Sequence, residues 1–142
     1  MHRLAIFASG SGTNAENIIR YFRNTPQIEV SCICTNRADA YVIERAKQYD
    51  IPVLVFSRQD FYETNIVLDY LEEKKIDWII LAGFLWLIPA NLIERFDSHI
   101  INIHPALLPK YGGKGMYGAG VHKAVIENRE KKIGHNHSFC KQ

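Results

Sequence analysis

No apolar run in the chain approaches the roughly 20 residues that a helix needs to cross a bilayer, which excludes a helical membrane span. The N-terminus lacks the apolar stretch and small-residue cleavage site of a secretory signal. Cysteine is scarce, with only Cys32, Cys34 and Cys140. An odd count, with two thiols on alternate positions of an apolar strand, points to reduced cysteines rather than disulfides or a zinc site. Charge of one sign is scarce too: a net charge of +2 is too small to argue for a nucleic-acid surface. There is no internal repeat, low-complexity tract or linker. What is left is one domain of 142 residues, long enough to bury a core, with an ordinary 47% hydrophobic and 23% charged content. These features predict a cytoplasmic protein with no membrane or nucleic-acid partner.

The apolar pattern then supplies the architecture. Leu4 to Ala8 reads as a buried strand entering the turn Ser9-Gly10-Ser11-Gly12. Asn14 to Arg23 reads as a helix, with Ile18, Ile19 and Phe22 on one face and Thr13 or Asn14 as its cap. Strands follow at about Glu29 to Thr35, Pro52 to Phe56, Trp78 to Ala82 and His99 to Asn102. Helices fall between them at Ala38 to Tyr49, around Val67, Leu68 and Leu71, and from Pro89 as first residue through Arg95. Alternating strands and helices predict an open, doubly wound, mostly parallel α/β sheet. Ligands bind beyond the carboxyl ends of such strands, near the topological switch point. Gly10 to Asn14, Gly83 to Ile88 and Asn102 to Pro109 all fall at those ends.

Each of these segments has chemistry to offer. In Gly10-Ser11-Gly12-Thr13-Asn14, backbone N–H groups, hydroxyls and the positive end of a helix dipole suit a phosphate. The run also fits G-x-G-x-x-A with Ala15, so a dinucleotide is an alternative. No acid follows the second strand to hold a ribose hydroxyl, which weakens NAD, while Arg37 leaves NADP open. The Walker pattern is absent. Trp86, between Leu85 and Leu87, either lines an apolar pocket or simply packs. Asn102 and His104 alternate on a strand's end and so point the same way, and Pro105 stops the strand. That ledge offers one amide and one group that titrates near neutral pH, suited to an enzyme handling a small carbonyl. No second ligand stands near His104 at metal spacing, so no metal is expected.

Four segments together resemble the folate-dependent glycinamide ribonucleotide formyltransferases of purine biosynthesis. They are Ser9 to Asn14, Thr35 to Ala40, Leu81 to Phe84, and Asn102-Ile103-His104-Pro105 through Leu108 to Tyr111. The resemblance implies a Rossmann-like fold and transfer of a formyl group from 10-formyltetrahydrofolate to the amine of 5-phosphoribosylglycinamide. It implies that Gly12, Thr13 and Asn14 bind the substrate's phosphate. Arg58, Leu85, Trp86, Leu87, Ile88 and Asn102 would line the folate site, with Asn102 and His104 catalytic.

The pattern breaks after Gly134. The family continues in a strand resembling Gly-Ile-Thr-Ile-His-Phe-Val-Asn and then supplies an aspartate that keeps the histidine charged. Here residues 135–142 show no strand pattern, and no aspartate follows Asp97. Codons for His135 to Lys141, read one base later, permit Ile-Thr-Ile-His-Phe-Val-Asn. The expectation is therefore that residues 1–134 are the N-terminal part of a formyltransferase domain and that 135–142 are an out-of-frame tail. Loss of the C-terminal strands would leave the chain inactive or nearly so, with an exposed sheet edge open to homodimer formation. Two alternatives stand beside this reading: an NADP-binding oxidoreductase, which would use Gly10 to Ala15 and Arg37 and ignore folates, and a non-catalytic nucleotide-binding module, which would bind a phosphorylated ligand without needing Asn102 or His104.

Overall fold

The computed structural model describes residues 1–103. Its centre is a five-stranded sheet, with β1 (His2–Phe7), β2 (Ile28–Thr35), β3 (Val53–Val55), β4 (Trp78–Ala82) and β5 (Ile100–Ile103). Their order is β3-β2-β1-β4-β5, and every pairing is parallel. The chain reverses its direction of travel between β1 and β4, so the switch point lies between those two strands. Leu4 to Phe7, Ser31 to Thr35 and Ile79 to Ala82 are buried, as strands covered on both faces require.

Five helices connect the strands: α1 (Thr13–Phe22), α2 (Val42–Gln48), α3 (Arg58–Glu63), α4 (Ile66–Glu73) and α5 (Ala90–Arg95). Ala15, Ile18, Ile19 and Phe22 bury one stripe of α1 at helical spacing. Parallel crossovers are right-handed as a rule, and the chain steps outward in opposite directions from β1 and from β4, which puts α1 and α2 on one face and α5 on the other. The expected doubly wound parallel sheet is thus what the chain forms.

Three local expectations are corrected. The helix predicted from Ala38 begins at Val42, because Ala40 N–H bonds back to Arg37 C=O at 3.2 Å in a turn. Between β3 and β4 there are two helices rather than one. The additional α3 starts at a reciprocal cap, in which Ser57 Oγ accepts from Asp60 N–H at 3.0 Å and the Asp60 carboxylate accepts from Ser57 N–H at 3.1 Å. Pro89 stands just before α5 rather than inside it, since its ψ of 160° is extended.

Candidate active site

At the end of β1 the chain must turn sharply into α1, and Gly12 makes that turn possible. Its φ of +77° lies in the left-handed region. A Cβ there would stand 2.6 Å from Val42 Cβ and 2.9 Å from Val42 Cα. Val42 N–H also donates to Gly10 C=O at 3.1 Å, so the start of α2 is docked on the turn. Gly12 itself occupies the helix cap position, with no side-chain cap bond, which corrects the assignment of Thr13 or Asn14 as cap. Those two residues instead open the first turn of α1, Thr13 exposed and Asn14 half-buried. Thr13 Oγ1 lies 3.1 Å from Ser11 Oγ.

Ser9 joins this turn to its neighbours. It is 2% exposed, donates to Asn36 Oδ1 at 2.7 Å and accepts from Leu85 N–H at 2.9 Å. Its own N–H reaches Gly83 C=O at 3.2 Å. One hydroxyl therefore links the carboxyl ends of β1, β2 and β4. The composition of the turn marks it as a turn but gives no sign of this role, because Asn36 and Leu85 are distant in sequence.

The segment after β4 is held differently. Gly83 turns it with φ +74°, and Phe84 packs edge-on against Phe7 with ring centroids 5.4 Å apart. Trp86 meets Phe56, Phe61 and Tyr62 at 6.0–6.1 Å, so the indole is part of an aromatic column rising out of the core. Arg58, exposed at the start of α3, caps this column with its guanidinium 5.1 Å from the Tyr62 ring centroid and 5.3 Å from that of Trp86. Tyr62 Oη donates to Leu87 C=O at 2.6 Å, and burial raises its pKa. Leu85 and Leu87 remain 76% and 51% exposed, whereas Ile88 turns into the core. An exposed cation beside flat rings and free leucines suits a planar, partly anionic ligand.

Asn102 is half-buried on β5, in register with Leu81 of β4. Because all strands run parallel, Gly12, Thr13, Asn14, Arg58, Leu85 to Ile88 and Asn102 all come to one end of the sheet. His104 and the tail 135–142 lie outside the described residues. Arg37, the cation that kept NADP open, is paired with Asp39 at 3.2 Å and holds that carboxyl below its usual pKa range. Among the described residues, no three His, Cys, Asp or Glu side chains gather as a metal site, and no helix is long and apolar enough to cross a membrane. A groove of about 410 Å³ lined by Phe22, Ile28, Tyr49 and Ile51 opens at the amino end of β2, away from this site.

Fold and site together define a doubly wound α/β protein with two candidate loops at the switch point. A family model described as formyl transferase matches residues 2–140, and the chain belongs to that family. It is 40% identical over 138 residues to the chloroplastic phosphoribosylglycinamide formyltransferase of Arabidopsis thaliana, covering 93% of this chain and 47% of that protein. It is 38% identical over 122 residues to phosphoribosylglycinamide formyltransferase of Haemophilus influenzae, covering 82% and 58%. The chain thus spans about half the length of these curated relatives. Glycinamide ribonucleotide transformylase 1 of Geobacillus kaustophilus superposes with a TM-score of 0.69 at 39% identity, covering 88% of this chain and 69% of that one. Nothing in these likenesses supports an NADP oxidoreductase.

Proposed function

We propose that the chain carries the binding half of a formyl transfer from 10-formyltetrahydrofolate to the amine of 5-phosphoribosylglycinamide, a step of purine biosynthesis. One observation supports this reading: Ser9 ties the glycine turn to the Gly83–Ile88 segment, which holds the candidate phosphate turn and the aromatic-backed segment side by side at one end of the sheet. Gly12, Thr13 and Asn14 bind the ribonucleotide phosphate through N–H groups at the start of α1. Arg58, Leu85, Trp86, Leu87 and Ile88 receive the folate, the guanidinium meeting its carboxylates.

The substrate's primary amine attacks the formyl carbon of the donor and generates a tetrahedral oxyanion. Asn102 donates a hydrogen bond where that charge develops. In a frame-restored chain, where the family's aspartate keeps it protonated, His104 stabilises the same charge and returns a proton to the folate nitrogen as the C–N bond breaks. The formylated amine loses a proton in turn, so charge balances. No metal takes part in this reading. It further places the protein in the cytoplasm, without a nucleic-acid partner, and pairs it as a homodimer through a sheet edge.

Thermal shifts with each ligand, together with turnover, test the proposal. Stabilisation by 5-phosphoribosylglycinamide and by a folate, with none by NADPH, is the expected result. Stabilisation by NADPH alone would overturn it. The out-of-frame reading of residues 135–142 is tested by sequencing the encoding DNA across Gly134. Under that reading, turnover by this chain falls far below that of a frame-restored chain.

A further inference from the structure

Arg45 of α2 bonds two groups that would oppose an anion at the glycine turn. Its Nε donates to Ser11 C=O at 2.5 Å, and its Nη1 meets the Glu16 carboxylate in a close ion pair. Tyr49 Oη donates to the other Glu16 oxygen at 2.8 Å. The guanidinium also lies 4.9 Å from the Tyr41 ring centroid, which fixes its plane. Arg45 and Glu16 are both mostly buried, with side chains 23% and 18% exposed.

Each contact has a consequence for a phosphate. Across a trans peptide, C=O and N–H point in opposite directions. Holding the Ser11 carbonyl on α2 therefore aims the Gly12 N–H away from α2, with the carbonyl's negative end turned from the ligand. Glu16 sits in the first turn of α1, where a carboxylate is favourable to the helix dipole but repels a second anion at the same terminus. Arg45 and Tyr49 together occupy both its oxygens. Their hydrogen bonds hold its pKa below the usual range, Tyr49 contributing most.

We propose that Arg45 is a positioning residue for the phosphate-binding turn, keeping the Ser11 carbonyl and the Glu16 carboxylate from opposing a phosphorylated ligand. This rests on the reading of Gly12 to Asn14 as a phosphate site. The test is calorimetric titration of ribose 5-phosphate into the chain and the variants R45M, R45K, E16Q and R45M/E16Q. Amide shifts of Gly12, Thr13 and Asn14 report where the ligand sits.

R45M weakens binding about tenfold, the scale of an unpaired charge left beside an anion. E16Q in the R45M background recovers much of that loss, which a purely structural role of Arg45 would not produce. Unchanged affinity in a folded R45M overturns the proposal. Should R45M fail to fold, R45K carries the test: its ammonium lacks the planar fork that serves both partners. R45K then binds several-fold more weakly, and an affinity equal to that of the unsubstituted chain overturns the proposal. If the unsubstituted chain shows no shifts at Gly12 to Asn14, the phosphate reading itself falls, and this one with it.

Discussion

The two loops that meet at the switch point are fixed by opposite means. The glycine turn is held through its backbone: Gly10 C=O on Val42, Ser11 C=O on Arg45, and a left-handed Gly12 against the Val42 side chain. The Gly83–Ile88 segment is held through its rings, with Phe84 and Trp86 packed on Phe7, Phe56 and Phe61. The difference follows from what each loop presents. A turn that offers N–H groups must be fixed without using them, so its carbonyls are tied instead. A segment that offers apolar surface can be anchored by alternate residues, leaving Leu85 and Leu87 exposed between the partly buried Phe84 and Trp86 and the buried Ile88.

The comparison is broken most severely at Gly12. G12A forces a Cβ into Val42 and an L-residue into the left-handed region, which together cost about 2–4 kcal/mol. Chemical denaturation measures that loss, and ribose 5-phosphate binding should disappear with it. Trimming the opposing side chain sharpens the point. G12A/V42A removes only the Val42 γ carbons; the contacts with its Cβ and Cα and the backbone strain remain, so little of the stability returns.

Next in size is Ser9, where the two loops share an anchor. S9A removes the donor to Asn36 and the acceptor of Leu85 N–H, at a cost of about 1–3 kcal/mol. Fluorescence anisotropy of Trp86, measured in a W78F background, should fall as the segment loosens. N36A keeps the bond from Leu85 and should leave anisotropy nearly unchanged. Equal losses in both variants would show that Ser9 acts through β2 rather than through the loop.

These two positions also show what a sequence can disclose. The turn, the strand order's alternation and α1 are written locally: Ala15, Ile18, Ile19 and Phe22 repeat at helical spacing, and glycines mark the turn. Gly12 was therefore visible as a binding candidate. Ser9 and Arg45 were not, because their partners come from other elements and meet only when the sheet forms. α3 escaped for another reason. It is a six-residue helix burying only Phe61, too short for periodicity, and its Ser57–Asp60 cap was its one local signal. Arg58 and Trp86, grouped beforehand only by the family resemblance, lie against each other, the guanidinium 5.3 Å from the ring centroid.

A smaller effect separates the turn's charge from its shape. The Glu16 carboxylate has a lowered pKa in the folded chain, through Tyr49 and then Arg45. Its contribution to stability is present above the ordinary glutamate pKa and is lost as pH falls through the lowered value. In E16Q that component is missing at every pH. Denaturation midpoints of the two chains should therefore differ near neutrality and converge in acid, the unsubstituted chain showing the steeper acid slope. Parallel curves would mean that Glu16 bonds no more favourably in the fold than in the unfolded chain.

The smallest expected change lies far from both loops and tests whether they can be perturbed independently of the frame. Lys75, two residues beyond α4, is left-handed at φ +58° on the approach to β4. Its N–H donates to Glu72 C=O at 3.0 Å, a helix-ending bond that any residue can make. Glycine adopts that φ freely, but it also raises the entropy of the unfolded chain, so the two terms partly cancel. K75G should therefore stabilise the protein by only about 0.5–1 kcal/mol, as a small rise in denaturation midpoint. Because Lys75 precedes β4 at the amino end of the sheet, ribose 5-phosphate affinity and Trp86 anisotropy should not move. A change in either would mean that strain at the base of β4 is transmitted along the strand to the loop at its other end.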